Sequence, residues 1–225
     1  MKGDERAHVV LTPIATPLPL TFLGLVVATT ILSGLELHWV PAADARLTGW
    51  TLLAVPLPLQ LTASIFGFHS RSATAATGSS VLAAAWLGIA LALINAPAGS
   101  FTPSRPVGML AFAVAAGLVV PAAADARSGS PLPTAALGLA SVRFVLTGIT
   151  ALTEASGLKT ATGIVGLAVA AVALYAALAL ELEDTSIEDT LLPTFKRGES
   201  AQALQAPLDA QVEGLEHEAG VRRNL

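Results

Sequence analysis

Apolar residues dominate the first 180 positions of the chain and are interrupted only by short polar segments. They form six stretches of 17 to 20 residues: Pro19–Leu35, Trp50–Phe68, Thr77–Ile94, Val107–Ala124, Pro133–Leu152 and Ala161–Leu180. A helix of about 20 apolar residues crosses a hydrocarbon core roughly 30 Å thick. The pattern therefore predicts an all-α polytopic membrane protein with six transmembrane helices, in direct contact with membrane lipid.

The composition supports this class. The chain is 53% hydrophobic and 12% charged, with a mean hydropathy of +0.68, whereas a soluble domain carries about 25% charged residues. The absence of cysteine excludes disulfides and thiolate metal sites. The net charge of −4 does not indicate a nucleic-acid-binding protein, so no nucleic-acid partner is expected.

The distribution of basic residues predicts the orientation. Leaving out the distant Arg222 and Arg223, six lie on the side of the termini: Lys2, Arg6, Arg71, Arg127, Lys196 and Arg197. Three lie on the opposite side: Arg46, Arg105 and Lys159. By the positive-inside rule both termini are expected in the cytoplasm of a multi-pass cell-membrane protein. We expect a cytoplasmic segment at 1–16, the six-helix domain at 17–182, and a mobile acidic cytoplasmic tail at 183–225.

A Pro-Leu-Pro element lies inside the second predicted span. Pro56 and Pro58 each remove a helical hydrogen bond, and Gln60 follows at membrane depth. One interpretation is a simple kink in which Gln60 bonds a neighbouring helix. The other is a broken helix that lines a polar path, as in many transporters. The sequence leaves both open.

Arg143 is the one clear charge inside a predicted span. At a span centre a cation costs on the order of 2.5–3.5 kcal/mol, so Arg143 must face protein, water or an anion. It could bind a carboxylate substrate through two parallel hydrogen bonds, or pair with a carboxylate of another span. Glu154 is a poor partner, because eleven residues of helix cover roughly 16 Å.

Enzyme chemistry has little support in the sequence. The four histidines are scattered, without a second histidine or a carboxylate at metal-ligand spacing. No glycine-rich phosphate loop or Gly-x-Ser-x-Gly element is present. We predict a protein that is not an enzyme and that has no metal site and no cofactor.

Three stretches resemble the motifs of one transporter family. The first, 11–25, contains Pro17, Pro19 and Leu20 in the positions of the family's Asn-Pro-Ala-Pro-Leu-Gly-Leu signature, with Thr16 and Thr21 replacing Asn and Gly. The second runs from the second to the third span and matches at six positions: Gln60, Ala63, Phe68, Thr77, Trp86 and Leu87. The third, 157–193, is similar to the family's closing Tyr-x-Ala…Glu…Leu-Pro. In these motifs the chain resembles the acetate uptake transporter family over about residues 8–197, as a divergent member.

This resemblance implies a fold, an assembly and a function. It implies six helices around a narrow path, subunits joined as a homo-hexamer, and symport of acetate with protons. The family's apolar constriction falls on Leu25, Leu82 and Ala140, where Leu82 replaces an aromatic residue. The residues expected to shape or line the path are Pro17, Pro19, Leu25, Gln60, Leu82, Trp86, Ala140 and Arg143.

The sequence thus predicts a proton-coupled transporter or channel for a short monocarboxylate such as acetate. Two alternatives stay open at this point. One is a channel for another small solute, such as ammonia or urea. The other is a membrane scaffold or accessory subunit that transports nothing.

Overall fold

The computed structural model describes residues 15–97, 104–153, 156–185 and 192–197. These residues form seven α-helices: α1 Leu18–Glu36, α2 Ala45–Ala54, α3 Pro56–His69, α4 Ala73–Asn95, α5 Arg105–Ser128, α6 Pro131–Thr153 and α7 Ser156–Thr185. A short 3-10 helix, Ala42–Asp44, precedes α2. Most of the predicted N-terminal segment and acidic tail lies outside the described residues, as does Glu154.

Six helical segments are long and apolar enough to cross a membrane, and α2 and α3 together form the second of them, Ala42–His69. The predicted all-α class with six spans is confirmed. Many large apolar side chains point away from the interior, among them Met109 at 71% and Val120 at 69% exposure. Side chains in such positions face lipid in a multi-pass membrane protein.

The second span is broken where the sequence places its Pro-Leu-Pro element. Helix α2 ends at Ala54 and α3 begins at Pro56. Val55 between them has φ −119° and ψ −72°, outside regular helical geometry. Proline at the first position of α3 needs no amide donor. The predicted interruption is therefore present, and it divides the span into two helices.

The six spans pack as a closed ring. Helix α1 contacts α7, which contacts α6, followed by α5 and α4, and the second span closes the ring between α4 and α1. Small residues permit close approach where helices cross. Helix α7 has a stripe of small residues on one face, and all four are buried: Gly166, Ala170, Ala173 and Ala177. Gly166 lies beside α1 and α6, so this stripe faces the ring interior.

Successive spans run in opposite directions, so the ring has two faces. We call the face where α1 begins and α7 ends the inner face, and the opposite one the outer face. At the inner face, α5 and α6 are joined by a tight turn in which Gly129 has a left-handed φ of 79°, and the amide of Arg197 donates to the carbonyl of Gly129. The cytoplasmic location of the inner face stays a prediction.

Candidate solute pathway

A cavity of about 430 Å³ opens between the spans near the outer face. Its apolar wall is formed by side chains of α1, α4 and α5, namely Leu32, Ile89, Leu93 and Val107. Its polar lining comes from several helices and includes Glu36, Asn95, Arg143, Thr147, Thr150, Lys159 and Thr162. We call this space the outer cavity. It combines a mostly apolar wall with a few charged groups, as ligand sites commonly do.

An ion pair lies against the outer cavity. Nη2 of Arg143 on α6 donates to Oε2 of Glu36 at 3.1 Å and to Oε1 at 3.4 Å. The Arg143 side chain is fully buried, and Glu36 is 6% exposed. The interpretation of Arg143 as the partner of a carboxylate from another span is therefore correct. Arg143 also lines the cavity, so it occupies the position in which a solute would meet it.

The guanidinium is only partly used by this pair. Among the described residues, no acceptor bonds Nε or Nη1 of Arg143, and both atoms are buried. The Oγ of Ser33 and the Nε1 of Trp86 are also buried without a partner in this part of the chain. Buried donors without acceptors carry a desolvation penalty. The centre of the ring therefore contains an excess of donors, which an anion or water could satisfy.

Gly166 makes room for the arginine. A Cβ at Gly166 would lie 2.6 Å from Nε of Arg143 and would also contact Oγ of Ser33. The distances from this Cβ to the Arg143 atom and to the Ser33 atom are both shorter than van der Waals contact. The absence of a side chain on α7 therefore lets the guanidinium lie between α1 and α7.

Beneath the cavity the ring axis is filled by large side chains. The rings of Trp86 and Phe144 lie 5.5 Å apart at an angle of 37°. The predicted constriction residues Leu25, Leu82 and Ala140 are all fully buried. Each precedes a lining residue of the cavity by seven positions, the pairs being Leu25 with Leu32, Leu82 with Ile89 and Ala140 with Thr147. Seven helical residues rise about 10 Å, which puts these three residues two turns below the cavity.

One turn further toward the inner face lies a polar cluster of Thr21, Gln60 and Ser79. The hydroxyls of Thr21 and Ser79 are 2.7 Å apart, and Nε2 of Gln60 donates to the carbonyl of Thr21 at 2.9 Å. Oε1 of Gln60 is buried and has no partner among the described residues. We call this group the inner polar cluster.

Both predicted prolines of the first motif support this cluster. Pro17 and Pro19 are buried at the start of α1. The Thr21 hydroxyl donates to the Pro17 carbonyl at 3.1 Å. Gln60 therefore bonds a neighbouring helix, as in the kink interpretation of the Pro-Leu-Pro element. It also follows a break in the second span, as in the broken-helix interpretation.

Two acidic residues take positions that the sequence reasoning did not assign. Glu36 falls just beyond the first predicted span, but it is the last residue of α1 and is buried. Asp125 was expected just beyond the fourth span, but α5 continues to Ser128 and buries it. There Asp125 forms a hydrogen bond with Thr74 of α4. For Glu36 the available signal is the apolar run, which continues past it to Leu37.

The comparisons with known proteins concern this architecture. No family model matches the chain, and no curated protein matches it. A solved structure, described as that of the bacterial acetate channel SatP, superimposes with a TM-score of 0.68. The chain shares the fold of that channel. The match covers 80% of this chain and 98% of SatP at 16% identity.

The likeness to SatP confirms the fold that the sequence resemblance implies. At this identity it concerns the arrangement of the helices. The roles of individual side chains in this chain must therefore be argued from their own contacts.

Proposed function

We propose that the protein is a membrane channel or transporter for short monocarboxylates of the acetate type. The observation that carries this proposal is the Arg143 guanidinium, which lines the outer cavity and has donors without an acceptor among the described residues. The ring around this cavity has the fold of an acetate channel. Hydrogen bonds from a charged guanidinium to a carboxylate are stronger than hydrogen bonds to a neutral acceptor. The geometry therefore favours a small organic acid over a neutral solute.

Entry takes place through the outer cavity. The substrate carboxylate accepts hydrogen bonds from Arg143 while Glu36 holds the guanidinium through Nη2. The pair stays close to neutral overall when no substrate is present, which lowers the cost of the buried cation. A single substrate anion then accepts hydrogen bonds from the donors of Arg143 that Glu36 leaves unused.

Passage inward requires the acid to cross an apolar layer. Trp86, Leu25, Leu82 and Ala140 line this layer, and the first three change rotamer to open it. A bare carboxylate is costly in a low-dielectric neck, whereas a protonated acid is not. Protons therefore travel with the substrate, and flux is greatest at acid pH.

Release toward the inner face passes the inner polar cluster. The side-chain carbonyl oxygen of Gln60, which has no donor among the described residues, accepts a hydrogen bond from the hydroxyl group of the neutral acid as it leaves the neck. Pro17 and Pro19 fix the start of α1 against this cluster.

The assembly and location follow from the family resemblance. We infer a homo-hexameric ring in the cell membrane, with one path in each subunit. Native mass spectrometry of the protein released from lipid nanodiscs measures the subunit number directly.

Uptake of labelled acetate into proteoliposomes tests the function. We expect saturable uptake that is faster from an acid medium than from a neutral one, with protein-free liposomes as the background. Uptake that is equal at both pH values would remove the proton coupling. Correctly folded protein that gives no uptake above the background would contradict transport of acetate.

A further inference from the structure

The outer cavity is much larger than acetate needs. If each non-hydrogen atom takes about the 30 Å³ that a water molecule occupies in the liquid, the four atoms of acetate fill about 120 Å³. The cavity measures about 430 Å³. Acetate bound to Arg143 would therefore leave most of the space to water, against a wall that is largely apolar.

The apolar part of that wall lies beside the ion pair and comes from three helices. Leu32 lies one helical turn from Glu36 on α1, on the side of the inner face, and Ile89 and Leu93 lie one turn apart on α4. Val107, near the outer end of α5, is the fourth apolar side chain of this group. An alkyl chain bound beside Arg143 would contact these four side chains.

The charges around the cavity fit one negative group. Arg143 is already paired with Glu36, and among the described residues its Nε and Nη1 donors have no acceptor, which leaves donors for one carboxylate. A second carboxylate on the ligand would meet the Glu36 side chain or the apolar wall. Both encounters are unfavourable.

We propose that the outer cavity is a binding site for monocarboxylates with an alkyl tail of several carbons, such as hexanoate. The carboxylate accepts hydrogen bonds from the unused guanidinium donors of Arg143, and the tail lies on Leu32, Ile89, Leu93 and Val107. This proposal deepens the proposed function and rests on it, because the site belongs to the same pathway. It assigns the cavity a preference for longer acids than acetate.

Equilibrium binding tests the preference without any need for flux. Isothermal titration calorimetry of the protein in lipid nanodiscs compares acetate, hexanoate, hexanol and adipate at neutral pH, and empty nanodiscs correct for partition into lipid. Each buried methylene contributes about a fourfold gain in affinity. We expect hexanoate to bind at least about tenfold tighter than acetate. Hexanol, which has no charge, and adipate, which has a second carboxylate, should each bind at least about tenfold more weakly than hexanoate.

Two variants locate the ligand in the cavity. Ile89→Phe fills part of the cavity and should lower the affinity for hexanoate to about the affinity for acetate. The affinity for acetate should change little. Leu91→Phe is the matched control, because Leu91 is on the same helix but is 47% exposed toward lipid. The double variant Arg143→Gln with Glu36→Gln removes both charges of the pair together, and it should bind hexanoate no better than hexanol.

The outcomes separate this inference from the proposed function. Equal affinity for acetate and hexanoate, or an Ile89→Phe variant that behaves like Leu91→Phe, would overturn the tail site and leave acetate transport standing. Hexanoate binding of the expected pattern together with no flux of any acid would support the site and contradict transport. Folded protein that binds none of the acids would overturn the inference.

Discussion

At the scale of single residues, the main feature of the molecule is a buried cation, Arg143, whose burial costs free energy. Arg143 is fully buried, and among the described residues it pairs with one carboxylate, through one of its three nitrogens. Two features make this position possible: the Glu36 side chain and the missing side chain at Gly166. A buried ion pair adds little net stability, but removal of one partner leaves an uncompensated charge.

The first prediction at this scale concerns the ion pair. Arg143→Met leaves Glu36 buried without its partner and should lower the free energy of unfolding by about 3–5 kcal/mol. Adding Glu36→Gln removes the orphaned charge and should restore most of the loss. Thermal unfolding of the purified proteins measures both effects. A double variant as unstable as the sum of the two single variants would show that the pair is not coupled.

The second prediction concerns the space beside the guanidinium. Gly166→Ala adds a methyl group 2.6 Å from Nε of Arg143, and such overpacking costs about 1–3 kcal/mol. Gly138→Ala is the control, because a Cβ there has no neighbour within 4 Å in the described structure. We expect a lower unfolding midpoint for Gly166→Ala and an unchanged or raised midpoint for Gly138→Ala, since alanine favours helix. Equal midpoints would contradict the described packing of Arg143.

At the scale of elements, close helix crossings hold the two halves of the broken span in the ring. Glycines on α2 and α3 allow both halves to approach α4. A Cβ on Gly67 would lie 2.6 Å from the backbone nitrogen of Ala76, and one on Gly49 would lie 2.8 Å from the carbonyl oxygen of Ala90. Because these neighbours are backbone atoms, they cannot move away by a change of rotamer. Each half of the second span is therefore docked on α4 independently of the break at Val55.

A substitution at the α3–α4 crossing tests this packing. Gly67→Ala must separate the two helices and should cost about 1–3 kcal/mol of stability. Gly78→Ala provides the control on α4, because its Cβ would make ordinary contact with Leu137 at 3.6 Å. The comparison is read from unfolding midpoints in the same detergent. A Gly67→Ala protein as stable as Gly78→Ala would show that the crossing is looser than described.

Elements are also the level at which the sequence predicts best. Apolar length alone predicts all six spans, and the chemistry of proline predicts an interruption at the Pro-Leu-Pro element without deciding between a kink and a break. The ends of the spans were less accurate, since α1 includes Glu36 and α5 continues past Asp125 to Ser128. Both residues are acidic and look like loop residues in the sequence. Each is buried by contacts with other helices, and the sequence gives a local signal only for Glu36, where the apolar run continues to Leu37.

The site was predictable to a smaller extent. Arg143 and Gln60 stand out because a polar group at membrane depth is costly wherever it lies. Their partners could not be identified, since Glu36 is separated from Arg143 by 107 positions and Thr21 from Gln60 by 39. Pairings at such distances depend on how the ring closes. The roles of the eight predicted path residues stay predictions.

At the scale of the whole molecule, the ring has a polar group at each end of an apolar layer. The outer cavity with its ion pair lies on one side of Leu25, Leu82 and Ala140, and the inner polar cluster lies on the other. This order suits a solute that is recognised as an anion and crosses as a neutral acid. The central claim is that the solute crosses the ring along its axis, past these three residues.

The most direct test compares two substitutions on α6. Ala140→Phe fills the ring axis, while Val142→Phe adds the same side chain to a position that is 50% exposed toward lipid. Uptake of labelled acetate into proteoliposomes is measured for both variants and the parent, at equal amounts of folded protein. The account predicts that Ala140→Phe abolishes uptake and that Val142→Phe retains the parental rate. Equal uptake by the two variants would contradict a path along the ring axis.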